Sequence, residues 1–569
     1  NVSSLNTNGV STIKINNTLG WCSVNFKTVS ISTDDTITSS DNVLYTAINI
    51  LSSNVNIDVN NILIYLPNTT VTDGKFVALN MNISTSISNS AVIINSKQIS
   101  LGIKSLNSSA TSAYTSPLST SCYMSTIIVN SSFDIPICIN SSLISLLTDD
   151  ITPNTSFPHE IYTIITLTSL VKINSDSIFM SFTDNLNITF NYNNIITPSA
   201  TPSLNSTSIN SSVICIYNSK TSINFDSLFL DSRRVDNLNI LNVVQLSGSQ
   251  TYIIGNSLIH TLSRNSSGLS SVNAISGNNY ISVNYVYISI QLSIISSSGN
   301  MLYINGNNKL SINYLYFEIR SSNDYTYYTI YSSGTNYNLI DINEFIVSYA
   351  ANSTNKSNAY LDGYNNVLIN YYSSSGPCNG FYISGYSDIK INYLVNSNIT
   401  TNIIFNISST NIMSNIYINY LNHVRSTIYS VSGGYANLNI NYCNISISNG
   451  GSTHFDVPSL TSKVKINIYS LYLVISNTVN AGTMFNMYPS DTTAASVIYI
   501  NIDEVNISCL NIAFVLLRYN TLFLNIKYMN ATVAITTTNS LILTNNSTFF
   551  FILHFCNFTG NNKHIILYL

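Results

Sequence analysis

Apolar residues recur along this chain in short alternating runs rather than at helical spacing. The segments Leu310-Ser-Ile-Asn-Tyr-Leu-Tyr-Phe-Glu-Ile319, Leu438-Asn-Ile-Asn-Tyr-Cys-Asn-Ile-Ser-Ile447 and Ile498-Tyr-Ile-Asn-Ile-Asp-Glu-Val-Asn-Ile507 share one template. Counted from a central apolar anchor, apolar residues or Tyr stand at about −2, 0, +2, +5 and +7. Such alternation marks a strand with one buried face, because successive side chains leave a strand on opposite sides. The step from +2 to +5 breaks the period. Two residues there must turn the chain, and the template predicts two short strands joined at a corner.

The anchors recur at Val283, Ile312, Ile342, Ile369, Ile391, Ile418, Ile440, Ile466, Ile500, Leu524 and Leu553, in steps of 22 to 34 residues. The −2 residues are Ile281, Leu310, Ile340, Val367, Ile389, Ile416, Leu438, Val464, Ile498, Leu522 and Phe551, all apolar. Upstream the template is fainter, traceable at Ile57, Ile94, Ile128, Ile173 and Ile223 with longer steps, so extra loops are expected there. Turn-rich stretches such as Ser297-Ser-Gly-Asn-Met301 and Ser448-Asn-Gly-Gly-Ser452 supply the remaining corners. A coil with three short strands cannot bury its own apolar face, but stacked coils build a continuous core.

The predicted fold is therefore all-β: a single elongated parallel β-helix, or β-solenoid, with coils of 22–34 residues. Residues 1–160 are expected to form irregular coils or a cap with longer loops, and 161–569 the regular β-helix. About 17 to 20 coils at the usual strand spacing would make a rod of roughly 80 to 95 Å. At +1 the chain repeats Asn284, Asn313, Asn343, Asn370, Asn392, Asn419, Asn441, Asn467, Asn501 and Asn525, which in register could hydrogen-bond along the axis. At +2 it repeats Tyr285, Tyr314, Tyr371, Tyr393, Tyr420 and Tyr442, read as a stacked structural ladder in preference to a carbohydrate-binding stripe.

In coil length and alternation this repeat resembles the right-handed parallel β-helices of the pectin-lyase-like superfamily and of large microbial surface adhesins. That resemblance implies a surface protein of the structural or adhesive type. Enzymatic members carry clustered Asp residues with a His and a basic residue on neighbouring coils. Here the acidic pairs Asp34-Asp35 and Asp149-Asp150 lie in the irregular part, and His159, His260, His423, His454, His554 and His564 are scattered. Arg233-Arg234 reads as a loop, and Trp21 beside Cys22 as a plug packed on sulfur. No catalytic, cofactor or metal site is expected, and a polysaccharide-active enzyme is the remotest reading.

Composition narrows the setting. Charged residues are only 8% of the 569, against roughly 25% in ordinary soluble proteins, and the net charge is −4. No basic field invites nucleic acid, and no apolar run is long enough for a membrane span. The eight cysteines, Cys22, Cys122, Cys138, Cys215, Cys378, Cys443, Cys509 and Cys556, show no zinc spacing and leave disulfides or buried thiols open. A surface so poor in charge stays soluble if it carries sugar. Glycosylation is expected among the sequons at Asn68, Asn82, Asn107, Asn130, Asn140, Asn187, Asn205, Asn210, Asn265, Asn352, Asn355, Asn398, Asn406, Asn444, Asn506, Asn530, Asn546 and Asn557.

A secreted or cell-surface location follows from those sugars, and the first residues do not resemble a signal peptide. The last apolar residues, Phe549, Phe550, Phe551, Leu553, Phe555, Ile565, Ile566 and Leu567, read as a self-association face. Docking of another copy there would give a head-to-tail homopolymer. The leading expectation is thus an extracellular structural glycoprotein, a subunit of a filament, hair or coat. The alternative is a monomeric adhesin that binds a host or carbohydrate ligand.

Overall fold

In the computed structural model, residues 10–568 are described except 17–19, 33–36, 40–42, 73, 85–89, 110–117, 119–122, 154–158, 183–203, 206–208, 233–234, 237–239, 263–268, 291–298, 320–326, 334–336, 350–356, 376–378, 397–402, 409–412, 424–426, 448–452, 458–462, 476–481, 488–495, 510–511, 519–520, 534–541, 546 and 560–566. Every regular element among them is a strand, and all strand pairs are parallel. No helix among the described residues is long and apolar enough to cross a membrane. The chain divides into two compact units, Asn1–Ser311 and Ile312–Leu569. Both are built as parallel β-helices.

Each coil contributes one short strand to one sheet and one long strand to the other. In the second unit, for example, the short strand Asn379–Ile383 is followed by the long strand Ser387–Asn396, and the next coil repeats this with Ile403–Ile407 and Met413–His423. Each strand pairs with its counterpart one coil later, so neighbours in space are a full coil apart in sequence. A strand-rich composition of Ile, Val, Thr and Tyr suits the pleat, and the alternating pattern leaves one face of every strand apolar.

The core consists of columns of stacked side chains. In the second unit Ile342, Ile369, Ile391, Ile418, Ile440, Ile468, Ile502, Ile526 and Leu553 lie in successive register. The short strands add an aromatic column, in which Phe381 stacks on Phe405 at 5.2 Å and Phe455 on Phe485 at 5.0 Å. In the first unit Ile57, Ile94, Ile139, Ile173, Ile223, Ile253 and Ile281 form the equivalent of the −2 column. Fully burying one such side chain stabilises by about 1.5–3 kcal/mol, and each coil repeats the gain.

The register corrects three expectations. First, the anchors Ile466, Ile500 and Leu524 sit two residues before their column, whose members are Ile468, Ile502 and Ile526. A slip of two leaves every side chain on its face, so alternation alone could not detect it. Second, Ile128 lies in the short strand Tyr123–Ser131, and the long strand of that coil places Ile139 in the column. Third, whereas at Ile57, Ile94, Ile173, Ile223, Ile466, Ile500 and Leu524 the corner falls at +3 and +4 as expected, at the anchors Ile342, Ile369, Ile391, Ile418 and Ile440 it falls at +1 and +2. The pairing skips the +1 residue, and the next buried residue is +3, as at Leu394, Leu421 and Cys443. The tyrosines at +2 therefore point outward, Tyr442 being 49% exposed. Trp21 is also exposed, at 54%, rather than buried as a plug would be.

Glycine appears where coils approach too closely for a side chain. Gly277 has φ of +111° and Gly306, one coil on, +120°, and a Cβ on Gly277 would meet the Ser249 backbone nitrogen at 2.7 Å. Only glycine adopts that conformation without strain.

Candidate functional site

The corner carries a ladder of side-chain amides. In the second unit Asn343 donates to Asn313, Asn370 to Asn343, Asn392 to Asn370, Asn419 to Asn392 and Asn441 to Asn419, each at 2.8–3.0 Å. These partners are 30, 27, 22, 27 and 22 residues apart in sequence. The +1 residue is the one the strand pairing skips, so its side chain supplies the axial hydrogen bond there.

Past Asn441 the ladder changes column. Asn467 donates to Asn439 at 2.7 Å and Asn501 to Asn467 at 3.0 Å, two residues before the corner. The expected +1 positions of Asn467, Asn501 and Asn525 are thereby corrected to strand positions. The corner itself passes to Tyr469, whose ring meets Tyr442, and then to Asp503 paired with Lys527 at 2.8 Å. In the first unit a strand ladder runs Asp58, Asn95, Asn140, Asn174, Asn224, and a corner ladder runs Asp226, Asn256, Asn284.

Between a strand column and a corner ladder each unit has a shallow groove. The first unit's groove, of about 870 Å³, is lined by Asn140, Asn174, Asn224, Asp226, Asn256 and Asn284. The second unit's, of about 530 Å³, is lined by Asp341, Asn370, Lys390, Asn392, Tyr417 and Asn419. Lys390 lies 6.0 Å from the centre of the Tyr417 ring and 3.8 Å from Asp388. A side-chain amide can both donate and accept hydrogen bonds. Such a surface can hydrogen-bond a neutral, hydroxyl-rich ligand. The first groove also carries two carboxylates, Asp176 and Asp226, at the corner of neighbouring coils, and neither groove's described lining holds a nucleophile against a base.

A second exposed column runs where the long strands begin. Tyr337, Tyr364, Tyr386, Met413, Tyr435 and Lys463 follow one another in register. Tyr364 and Tyr386 have ring centres 5.7 Å apart, and Lys463 sits 5.3 Å over Tyr435.

The histidines are core residues where their side chains are described, except exposed His554. His260 occupies an inward column between Leu230 and Ile288, and its Nδ1 reaches Ser271 Oγ at 2.7 Å. Burial pushes its pKa down to about 3. His423 and His454 are buried with rings 6.0 Å apart. His564, Asp34, Asp35, Arg233 and Arg234 lie outside the described residues, and for His159, Asp149 and Asp150 only the backbone is described. Among the described residues no group of three or more His, Cys, Asp or Glu could hold a metal.

The sequence reading missed Glu160, a fully buried carboxylate. It accepts the Leu118 backbone N–H at 2.6 Å and the Tyr162 hydroxyl at 2.9 Å. Leu118 is held in the left-handed region, with φ of 62°, and packs on a buried outward cluster of Val77, Ile128, Tyr162, Ile165 and Cys215. Burial, with Glu160 second, raises Tyr123 to about 12 and pushes the Cys215 thiol up. A lone Glu in an irregular stretch gave no sequence signal for this.

The sequons differ in their settings. Asn82, Asn530 and Asn557 are exposed, while Asn130, Asn140, Asn406, Asn444 and Asn506 are half-buried. Asn140 donates its side-chain amide within the strand ladder. The side chains of Asn68, Asn107, Asn205 and Asn210 are not described, and Asn187, Asn265, Asn352, Asn355, Asn398 and Asn546 lie outside the described residues. Of the proposed self-association residues, Phe550 and Phe555 are exposed and Phe549, Phe551 and Leu553 half-buried; Ile565 and Ile566 lie outside the described residues, and Leu567 is described in backbone alone. The described cysteines Cys22, Cys138, Cys215, Cys443 and Cys556 are free, and Cys215 and Cys443 are buried. Compared with known proteins, the chain matches no family model, no curated sequence and no solved structure.

Proposed function

We propose that this chain is a structural extracellular glycoprotein, a building element of a surface coat or filament, that acts without catalysis. The observation that carries this reading is the corner ladder from Asn313 to Asn441, in which one residue type is held on one column and bonded coil to coil. That repetition supports axial cohesion, whereas an active site needs different groups converging on one point. The low charge and the exposed sequons at Asn82, Asn530 and Asn557 agree with a sugar-bearing surface. In this it is like the structural surface proteins that its repeat resembles.

The test is immunogold labelling of intact and permeabilised cells that make the protein. Label on the outside of intact cells, on regular fibres or a continuous layer, is the expected result. Label confined to the cell interior would overturn the reading.

A second reading is favoured by the groove at Lys390, Asn392, Tyr417 and Asn419, whose amides and ring suit a neutral polysaccharide. That adhesin would be recognised by retention on a glycan array, lost in a Tyr417→Ala variant.

A further inference from the structure

Tyrosine is abundant, with 39 residues against one Trp, and four of them meet on the outward side of the short-strand sheet in the second unit. Tyr331, Tyr360 and Tyr382 occupy one column on three successive coils. Tyr331 and Tyr360 stack with ring centres 4.8 Å apart and planes 7° from parallel, and Tyr360 and Tyr382 stack at 5.0 Å and 11°. Tyr328 completes the group, 5.2 Å from Tyr360 and tilted 60° to it. All four rings are half-buried, so their edges reach solvent while their positions are fixed by the strand pairing. Burial first, and then Tyr360 and Tyr382, push the Tyr328 phenol above its ordinary value.

Two tyrosines held this close need no diffusion to react with each other. The ordering that a bimolecular coupling must supply is already present in the fold. We propose that the cluster of Tyr328, Tyr331, Tyr360 and Tyr382 is an oxidative cross-linking site, at which Tyr360 is joined to a neighbouring ring as dityrosine. The co-reactants are hydrogen peroxide and a haem peroxidase.

Each phenol gives up one electron and one proton, leaving two tyrosyl radicals. The radicals pair through ring carbons ortho to the oxygens, forming one carbon–carbon bond. The two ortho hydrogens then leave as the rings regain aromaticity, while the phenol oxygens take up protons again. In net terms two ring C–H bonds break and the two hydrogens pass to peroxide, which is reduced to two waters. The stacked pairs require rotation of a ring about its side-chain torsions, and the tilted pair of Tyr328 and Tyr360 requires less. The product is a covalent staple between adjacent coils that are otherwise held by hydrogen bonds and side-chain packing.

The experiment treats the full-length protein, at a dilution where chains rarely meet, with peroxide and a haem peroxidase. Dityrosine fluorescence, a single-chain band on a denaturing gel, and a linked peptide pair that joins Tyr360 to Tyr328, Tyr331 or Tyr382 are expected. The Tyr360→Phe variant keeps the ring and is expected to lose that linked pair with an unchanged circular dichroism spectrum. Cross-links that join only other tyrosines, or that join only separate chains, would overturn the assignment.

Discussion

Asn392 donates its side-chain amide to Asn370 at 2.9 Å and accepts that of Asn419 at 2.8 Å, three residues on three coils joined through a position that strand pairing leaves out. Asn392→Ala removes both bonds at a half-buried corner. A loss of about 1 kcal/mol is expected, since a hydrogen bond at such a site contributes about 0.5–1.5 kcal/mol net. The urea midpoint is the measurement, with an unchanged slope showing that only stability moved.

A larger effect is expected inside the coil. Phe405 is fully buried and stacks on Phe381 with planes 12° apart. Phe405→Ala leaves a cavity between adjacent coils and should cost about 3–5 kcal/mol. Thermal unfolding should show a marked fall in Tm, and an unaltered transition would contradict the aromatic column.

Gly277 offers a backbone test. Its φ of +111° and the nearness of Ser249 leave no room for a methyl group. Gly277→Ala is expected to destabilise by more than about 1 kcal/mol despite adding a better strand former, because the native conformation is incompatible with a side chain. Equilibrium unfolding of this variant beside the Gly102→Ala variant checks it, since Gly102 carries no positive φ and its Cβ would meet the movable Tyr65 ring at 3.3 Å and the Ile64 carbonyl at an ordinary 3.9 Å.

His260 gives stability a pH dependence with a definite sign. Its folded pKa is lowered from 6.5 to about 3 by burial, so the unfolded chain binds the proton more readily. The neutral ring costs nothing above pH 6.5, and stability falls as the pH drops below that value, by up to about 1.4 kcal/mol per pH unit. Chemical denaturation between pH 7 and 5 should show this fall in the wild type and a flatter profile in His260→Gln.

Glycan occupancy should follow side-chain setting. In a secretory host Asn82 and Asn530, both exposed, are expected to carry glycans, and Asn140 is expected to be bare because its amide is engaged with Asn95. Peptide mapping after enzymatic deglycosylation distinguishes them. A fully occupied Asn140 would mean that the ladder is broken there.

Much of the fold could be read from the −2 and 0 positions. Residues such as Ile340, Val367, Ile389 and Ile416 alternate with polar neighbours and recur at coil length, and all four are buried in one column. The axial asparagine bonding was legible for the same reason, as Asn313 to Asn441 repeat in step with those anchors. Glu160 was not legible, because the Leu118 backbone that it binds, 42 residues away, comes beside it only once separate coils have stacked.

Sequence by itself determined the period and the facing of the strands at the −2 and 0 positions, and therefore the parallel β-helix. Side chains alternate with a period of two whatever the chain does next, so that information is local. Tertiary structure alone decided where the corner falls, which moved Tyr393 and Tyr442 to the outside and placed Ile468 and Ile502, not Ile466 and Ile500, in the anchor column. The reason is that a shift of two residues costs nothing in facing. Only the pairing of each coil with the next, with its skipped residue and its side-chain ladder, fixes the register.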